Sequence, residues 1–168
     1  MNQRHLIRMW MLAGLKKHGK NYFGYKNHIV VDLKNKFIRN FDITDASVHD
    51  SQVFEEILLE PNDDIVDIWA DSAYFSEERL RFLKDKAYNE HILRKGYRNN
   101  PLSDAERENN KFRSKNRARV EHIFGAQLKR AGDLLLRTIG AARAYVKIGI
   151  RNLAYNIDRY RILSTGIS

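Results

Sequence analysis

The chain has 168 residues and no cysteine, which excludes disulfide staples and any thiolate metal site. Its two prolines, Pro61 and Pro101, sit in polar, loop-like surroundings, and neither a low-complexity linker nor an internal repeat interrupts the chain. Such a length supports one domain with a real core. The longest apolar runs are far too short for a membrane-spanning helix. The opening MNQRHLIRMWMLAGLKK sets basic residues around an apolar middle. Arg8 interrupts that middle and no small-residue cleavage site follows, so a signal peptide is rejected. A cytoplasmic location without membrane or small-molecule partners is the resulting expectation. Acid is also scarce at this end: the 21 residues before Tyr22 hold neither Asp nor Glu.

Base is what the chain has in excess. Apolar residues make up 43% and charged residues 30%, the balance of a soluble globular protein. Lys and Arg number 30 against 21 acidic residues, a net charge of +9. From Arg94 to Arg130 there are eleven Lys/Arg and four Asp/Glu, a net of +7 in under a quarter of the chain. Concentrated positive charge attracts polyanions through counterion release, and nucleic acid is the polyanion this points to. A solvated basic surface is the plainer alternative.

The element pattern is mixed. Tyr22 to Thr44 reads as a hairpin: β-branched HIVVD, the turn LKNK, then alternating FIRNFDIT. Thr44 or Asp45, or Ser47 with Asp50, could cap a helix over DSQVFEEILLE. DIVDIWAD reads as a buried strand, SEERLRFLKDKA as a helix and HILRK as a short strand. Polar helix signals run from Ser103 to about Lys115, and a stronger helix starts at Arg117, with Val120, Ile123, Phe124 and Leu128 on one apolar face. A last helix spans about Ala141 to Leu163. Its stripe of Val146, Ile150, Leu153, Ile157 and Tyr160 predicts core packing, with Arg143, Lys147, Arg151 and Arg159 around it. This is an α/β layout with mixed strand pairing.

Two carboxylates stand out by position. Asp71 ends the strand IWAD, where an acid faces the crevice above a sheet and suits a ligand or metal. Glu121 lies among apolar helix positions, with Arg117 one turn earlier as a ready partner. Both also have structural readings, Asp71 as a helix cap and Glu121 as half of an ion pair.

Four blocks, YFGYKNHIVVD, TDASVHDSQV, WADSAY and NRARVEHIFG, resemble in order and wording the DDE transposases of bacterial insertion sequences, the group that includes families four and five. The resemblance runs from about Lys16 to Tyr160. It implies an RNase H-like catalytic domain, a mixed sheet flanked by helices, that binds two Mg2+ (or Mn2+) ions through two aspartates and a glutamate. The second aspartate falls on Asp71 and the glutamate on Glu121, the implied catalytic and metal residues. The family's glutamate signature places an arginine four residues before the glutamate, which Arg117 satisfies. It places a tyrosine where this chain has Ser114, and a lysine where this chain has Leu128, with Lys129 one position later. The implied DNA-binding residues are Arg117, Lys129, Arg94, Lys95, Arg98 and Arg119. His49, Asp50, Lys26, His28 and His122 lie in matching blocks and are equally readable as caps or packing.

The chemistry suits the residue types. Two divalent ions about 4 Å apart can activate a water and stabilise the leaving oxygen of a phosphodiester, and Mg2+ takes hard oxygen ligands. A DNA 3′-hydroxyl in place of water turns cleavage into strand transfer. The resemblance further implies element ends and target duplex as DNA partners, and dimers or larger assemblies.

The family's first aspartate lies on a strand before the YFGYKNH hairpin, and here no acid precedes Tyr22. The expectation is therefore a sheet truncated at the amino terminus, its first strand missing. Residues 1–15 then form a non-family segment translated out of frame, and residues 16–168 the partial catalytic domain. On this reading the chain is weakly active or inactive in strand cleavage and transfer. The alternative is a non-catalytic DNA-binding remnant or regulator of transposition.

Overall fold

The computed structural model describes residues 3–12, 24–45, 47–48, 52–58, 66–131, 138 and 140–166; of residues 3–12, 117–121 and 131 it describes the backbone. Strands β1 (Gln3–Leu12), β2 (Tyr25–Asp32), β3 (Ile38–Asp45) and β4 (Val66–Ala70) are followed by helix α1 (Glu77–Asp85), strand β5 (Tyr88–Ile92) and helices α2 (Asp104–Ala131) and α3 (Ala141–Thr165). The strands form one sheet in the order β3-β2-β1-β4-β5. β1 to β2 and β2 to β3 are antiparallel, whereas β1 to β4 and β4 to β5 are parallel. The mixed α/β layout read from the sequence is the one found.

The first strand, expected to be missing, is present. Gln3–Leu12 occupies the centre of the sheet, pairing His5–Leu12 with β2 and Gln3–Leu6 with β4. A central slot is set by backbone hydrogen bonding and apolar content, and Leu6, Ile7, Met9, Trp10, Met11 and Leu12 supply the latter. Nothing in that requirement calls for an acid.

Strand alternation divides the core between the two sheet faces. Val30, Val66, Ile68 and Ala70 pack with Val53, Phe54, Ile57, Tyr74, Leu83 and Ile92, under the 52–58 segment and α1. Ile29, Val31 and Trp69 pack with Leu33, Ile38, Ile123, Phe124 and Tyr155, under α2 and α3. Ser76 caps α1 by accepting from Arg79 N at 3.2 Å.

Three local expectations are corrected. Of the expected helix, residues 52–58 are described, and they form a 3-10 residue and turns rather than an α-helix; Phe54 is fully buried and Arg79 stacks on its ring at 4.8 Å, so tertiary packing outweighs the helical pattern. The two helices expected after Ser103 are one. The Ser103 side chain and Glu106 form a reciprocal capping box, and no proline or glycine intervenes before Gly125 to break it. The third correction concerns α3. Its apolar stripe is solvent-facing, and the buried positions are Ala144, Ile148, Asn152 and Tyr155.

Candidate functional site

β4 is buried along its whole length and delivers Asp71 at its carboxyl end. Asp71 keeps extended backbone, φ −75° and ψ 162°, so the alternation runs one step on and Asp71 shares the parity of Trp69, on the sheet face that α2 covers. Its Oδ1 accepts from Ser72 N at 2.6 Å and from Ser72 Oγ at 3.4 Å. That bond caps the short 3-10 turn Ser72–Tyr74. Tyr74 N donates to Asp71 O at 3.0 Å and Leu93 N to Ala70 O at 3.1 Å, which ties the strand end to β5. The carboxylate is thus half-buried and oriented by backbone.

Glu121 lies on α2, two positions before Ile123 and three before Phe124, both of which share a core cluster with Trp69. The helix segment that carries the glutamate and the strand end that carries Asp71 therefore meet over one face. The side chains of Glu121, Arg117 and Arg119, including the Arg117–Glu121 pairing considered above, lie outside the described residues, as do His49 and Asp50.

The register of β1 bears on the donor set. Gln3 to Leu6 pair with Val66 to Trp69 in parallel; two steps further, the β1 position beside Asp71 is Arg8. β1 has no Asp, Glu or Cys, and His5 stands at its start, paired with Ile68. Among the described residues no group of three His, Cys, Asp or Glu could hold a metal. A pair of divalent ions calls for several oxygen ligands, and the sequence of β1 contains no carboxylate. Among the described residues the donor set does not fit a two-metal centre.

The other candidates separate into two groups. Arg94 is engaged within the fold, paired with Glu90 at 2.6 Å and lying 4.4 Å over the Phe75 ring. Lys26 donates to Val48 O at 2.7 Å and His28 bonds Thr44 Oγ1 at 2.9 Å; both are buried in the hairpin. Lys95, Arg98, His122, Lys129 and Leu128 are exposed, as is Ser114. Sequence reasoning missed a shallow groove on α2 lined by Leu102, Arg107, Asn110, Lys111, Ser114 and Lys115. Asn110 fixes the groove to the sheet by bonding Arg94 N and O at 3.1 and 2.8 Å. The spacing of Arg107, Lys111 and Lys115, four apart on one helix face, was the available signal. Also unforeseen is the cluster beside Trp69. Asp67 accepts from Asn89 at 2.7 Å and contacts His91 Nε2 at 3.2 Å, while His91 stacks on Trp69 at 4.0 Å.

The scaffold is thus a mixed five-stranded sheet with an acid at the end of β4 and a long basic helix packed on one face. The family model described as the transposase DDE domain matches residues 8–157, and the chain belongs to that family. It is 33% identical over 111 residues to the transposase for insertion sequence element IS1106 of Neisseria meningitidis serogroup B. That stretch is 66% of this chain and 38% of the relative, so the chain spans well under half of that protein. Among solved structures, a piggyBac transposase synaptic complex with hairpin DNA superposes with a TM-score of 0.61 at 12% identity, over 99% of this chain and 49% of that one. This likeness concerns the fold. Among the described residues no helix is long and apolar enough to cross a membrane.

Proposed function

We propose that the chain is an RNase H-like DNA-transposition domain that keeps the DNA-binding surface of its family but lacks a complete catalytic acid set. The sheet order, with β1 central and parallel to β4, supports the RNase H-like reading. The observation that carries the rest is the register position beside Asp71. Asp71 and Glu121 are two members of a triad of acids, and Arg8 stands on the strand from which the third should come. In complete relatives the acids would hold Mg2+ or Mn2+ for strand cleavage and transfer at element ends and target; here the set does not support that chemistry.

DNA engagement rests on Arg107, Lys111 and Lys115 along the α2 groove, continued by Lys95 and Arg98 in the loop after β5 and by Arg117, Arg119 and Lys129 further along the helix. Lys111–Glu108 and Arg107–Asp104 are exposed pairs at 2.8 and 3.5 Å. Such exposed pairs are screened by solvent and hold side chains weakly, so phosphates can compete for these cations. Arg94 belongs to the fold more than to the surface.

The test uses a duplex bearing the ends of the element that encodes the chain. Binding should weaken steeply with salt. Lys111→Glu with Lys115→Glu should reduce it at least tenfold and flatten the salt slope by about one unit for each phosphate no longer neutralised. With Mg2+ or Mn2+ present, no nicking above background is expected. Nicking at rates usual for such enzymes would overturn the incomplete-site reading, and salt-insensitive or absent binding would overturn the DNA surface.

A further inference from the structure

α3 carries a feature that the DNA reading does not use. Val146, Ile150, Leu153, Ile157 and Tyr160 are 58, 60, 58, 61 and 68% exposed, and none belongs to either core cluster. Their spacing is four, three, four, three. A strict 3.5-residue repeat is the narrow seam along which a second helix packs, and among the described residues no helix lies on it. The two flanks of the seam differ in charge. Heptad spacing puts Lys147, Ala154 and Arg161 along one flank, and Arg143 continues the seam itself at its start. Ala142, Gly149, Asn156 and Leu163 form the other flank, which is neutral and adjoins the fold. There Gly149 lies against Phe41, a Cβ in its place falling 3.3 Å from the ring, and Asn156 bonds Ile38. The one acid of α3, Asp158, is held by Arg130 and Arg161.

We propose that the outer face of α3 is the docking seam for a helix of a different polypeptide, apolar along its own heptad seam and acidic along the flank that meets Lys147 and Arg161. Charge selects the occupant, because flanking positions decide which helices pair. A second copy of this chain has no acid to offer: antiparallel it brings cations against this flank, and parallel it brings Gly149 and Asn156. Duplex DNA would leave five apolar side chains without use, since its affinity comes from phosphate charge. A bilayer surface is matched by a helix with cations across its polar face. In α3 the face opposite the seam is instead taken up by the sheet, with Ala144, Ile148, Asn152 and Tyr155 buried. An acidic heptad helix satisfies both the seam and its one charged flank.

Three synthetic peptides, each roughly three heptads long, test the seam against the full chain by fluorescence anisotropy. The first has Leu along its seam and Glu on its flanks, the second has Lys on its flanks, and the third is a scramble of the first with equal charge. The Glu peptide should bind with a Kd on the order of 10 µM, and the other two at least about tenfold more weakly. The scramble separates the seam from the general pull of a chain with net charge +9. Lys147→Glu with Arg161→Glu should reverse the preference, so that the Lys peptide binds tighter. Ile150→Glu, at an exposed position that leaves the circular dichroism unchanged, should weaken both by about tenfold or more. Lys111→Glu with Lys115→Glu, on α2, should leave Glu-peptide binding within about twofold. Equal binding of the scramble, an unreversed preference in the charge variant, or no binding of the Glu peptide overturns the proposal. So does a wild-type dimer that the Glu peptide fails to dissociate, which would give the seam to a second copy. Flotation with anionic vesicles that the Glu peptide does not inhibit would give it to a lipid surface and equally overturn it.

Discussion

The two faces of α3 invert the usual distribution of polarity. The inner face, against the sheet, carries Asn152, Tyr155, Asn156 and Arg159, and the outer face carries the apolar seam. Asn152 is buried and bonded to two other amides. Its Oδ1 accepts from Asn27 and Gln127, each at 3.1 Å, and its Nδ2 donates to Asn27 at 3.3 Å. Asn156 meets β3 at Ile38, accepting from its N–H and donating to its carbonyl, both at 2.9 Å. It satisfies the edge strand as a neighbouring strand would. Tyr155 OH donates to Lys36 O at 2.8 Å and Arg159 Nε to Asn35 O at 2.8 Å. Burial pushes the Tyr155 phenol up to about 12, so it stays a donor across the ordinary pH range. The inner face is specified by hydrogen-bond geometry and the outer one by apolar spacing. Hydrophobicity alone therefore points to the wrong side of this helix.

The sharpest way to break that contrast is Asn152→Leu. It removes one member of a buried three-amide network and leaves Asn27 and Gln127 unsatisfied, which should cost roughly 2–4 kcal/mol. Chemical denaturation should show the midpoint falling with an unchanged slope; a loss below about 0.5 kcal/mol would mean that the network does not hold α3. Asn156→Ala comes next, at about 1–2 kcal/mol. Hydrogen exchange should localise the damage, with the Ile38 amide losing protection while the β4 amides keep theirs. Uniform loss across the sheet would contradict a local, edge-sealing role.

A third test lies at the far end of the same contact, in the β2–β3 turn. Burial opposes ionisation of Asp32, but bonds from Lys34 N at 2.8 Å, Arg39 at 3.2 Å and Asn35 at 3.1 Å prevail and hold its pKa below the usual carboxylate value. A depressed folded-state pKa stabilises above the unfolded value near 3.9 and ceases to do so as pH falls through the folded one. Asp32→Asn should therefore cost about 1 kcal/mol at neutral pH, with the difference from wild type shrinking below about pH 4. A difference that is constant with pH would remove the charge from the account.

Much of this fold was legible because period and punctuation agreed. HIVVD-LKNK-FIRNFDIT marked a hairpin, and β4 and α1 fell where a buried run and the Ser76 cap placed them, whereas β5 lies at Tyr88–Ile92, three residues ahead of the strand read at HILRK. Asp71 was readable both as a strand-end acid and as a cap, and the geometry makes it the cap of Ser72–Tyr74 whatever else it does. What failed did so for tertiary reasons. An acid-free β1 looks missing because its chemistry is absent, although a central strand needs only backbone pairing and apolar bulk. The 52–58 segment follows Phe54 into the core instead of its helical pattern. The basic groove of Arg107, Lys111 and Lys115 is masked in the sequence by the wider charged run that continues to Glu121 and beyond. On α3 a 3.5-residue apolar repeat resembles a core face, and only the positions of Asn27, Ile38 and Gln127 show why asparagines took that place.

The smallest expected effect comes from the outer face. Ile157 is 61% exposed, so Ile157→Gln gives up little burial within one chain and should change monomer stability by no more than about 0.5 kcal/mol. The same residue on the inner face would cost several times that. Thermal unfolding of dilute wild type and Ile157→Gln should give superposable curves. If they stay apart, Ile157 is packed within its own chain and the two faces of α3 are not opposites after all.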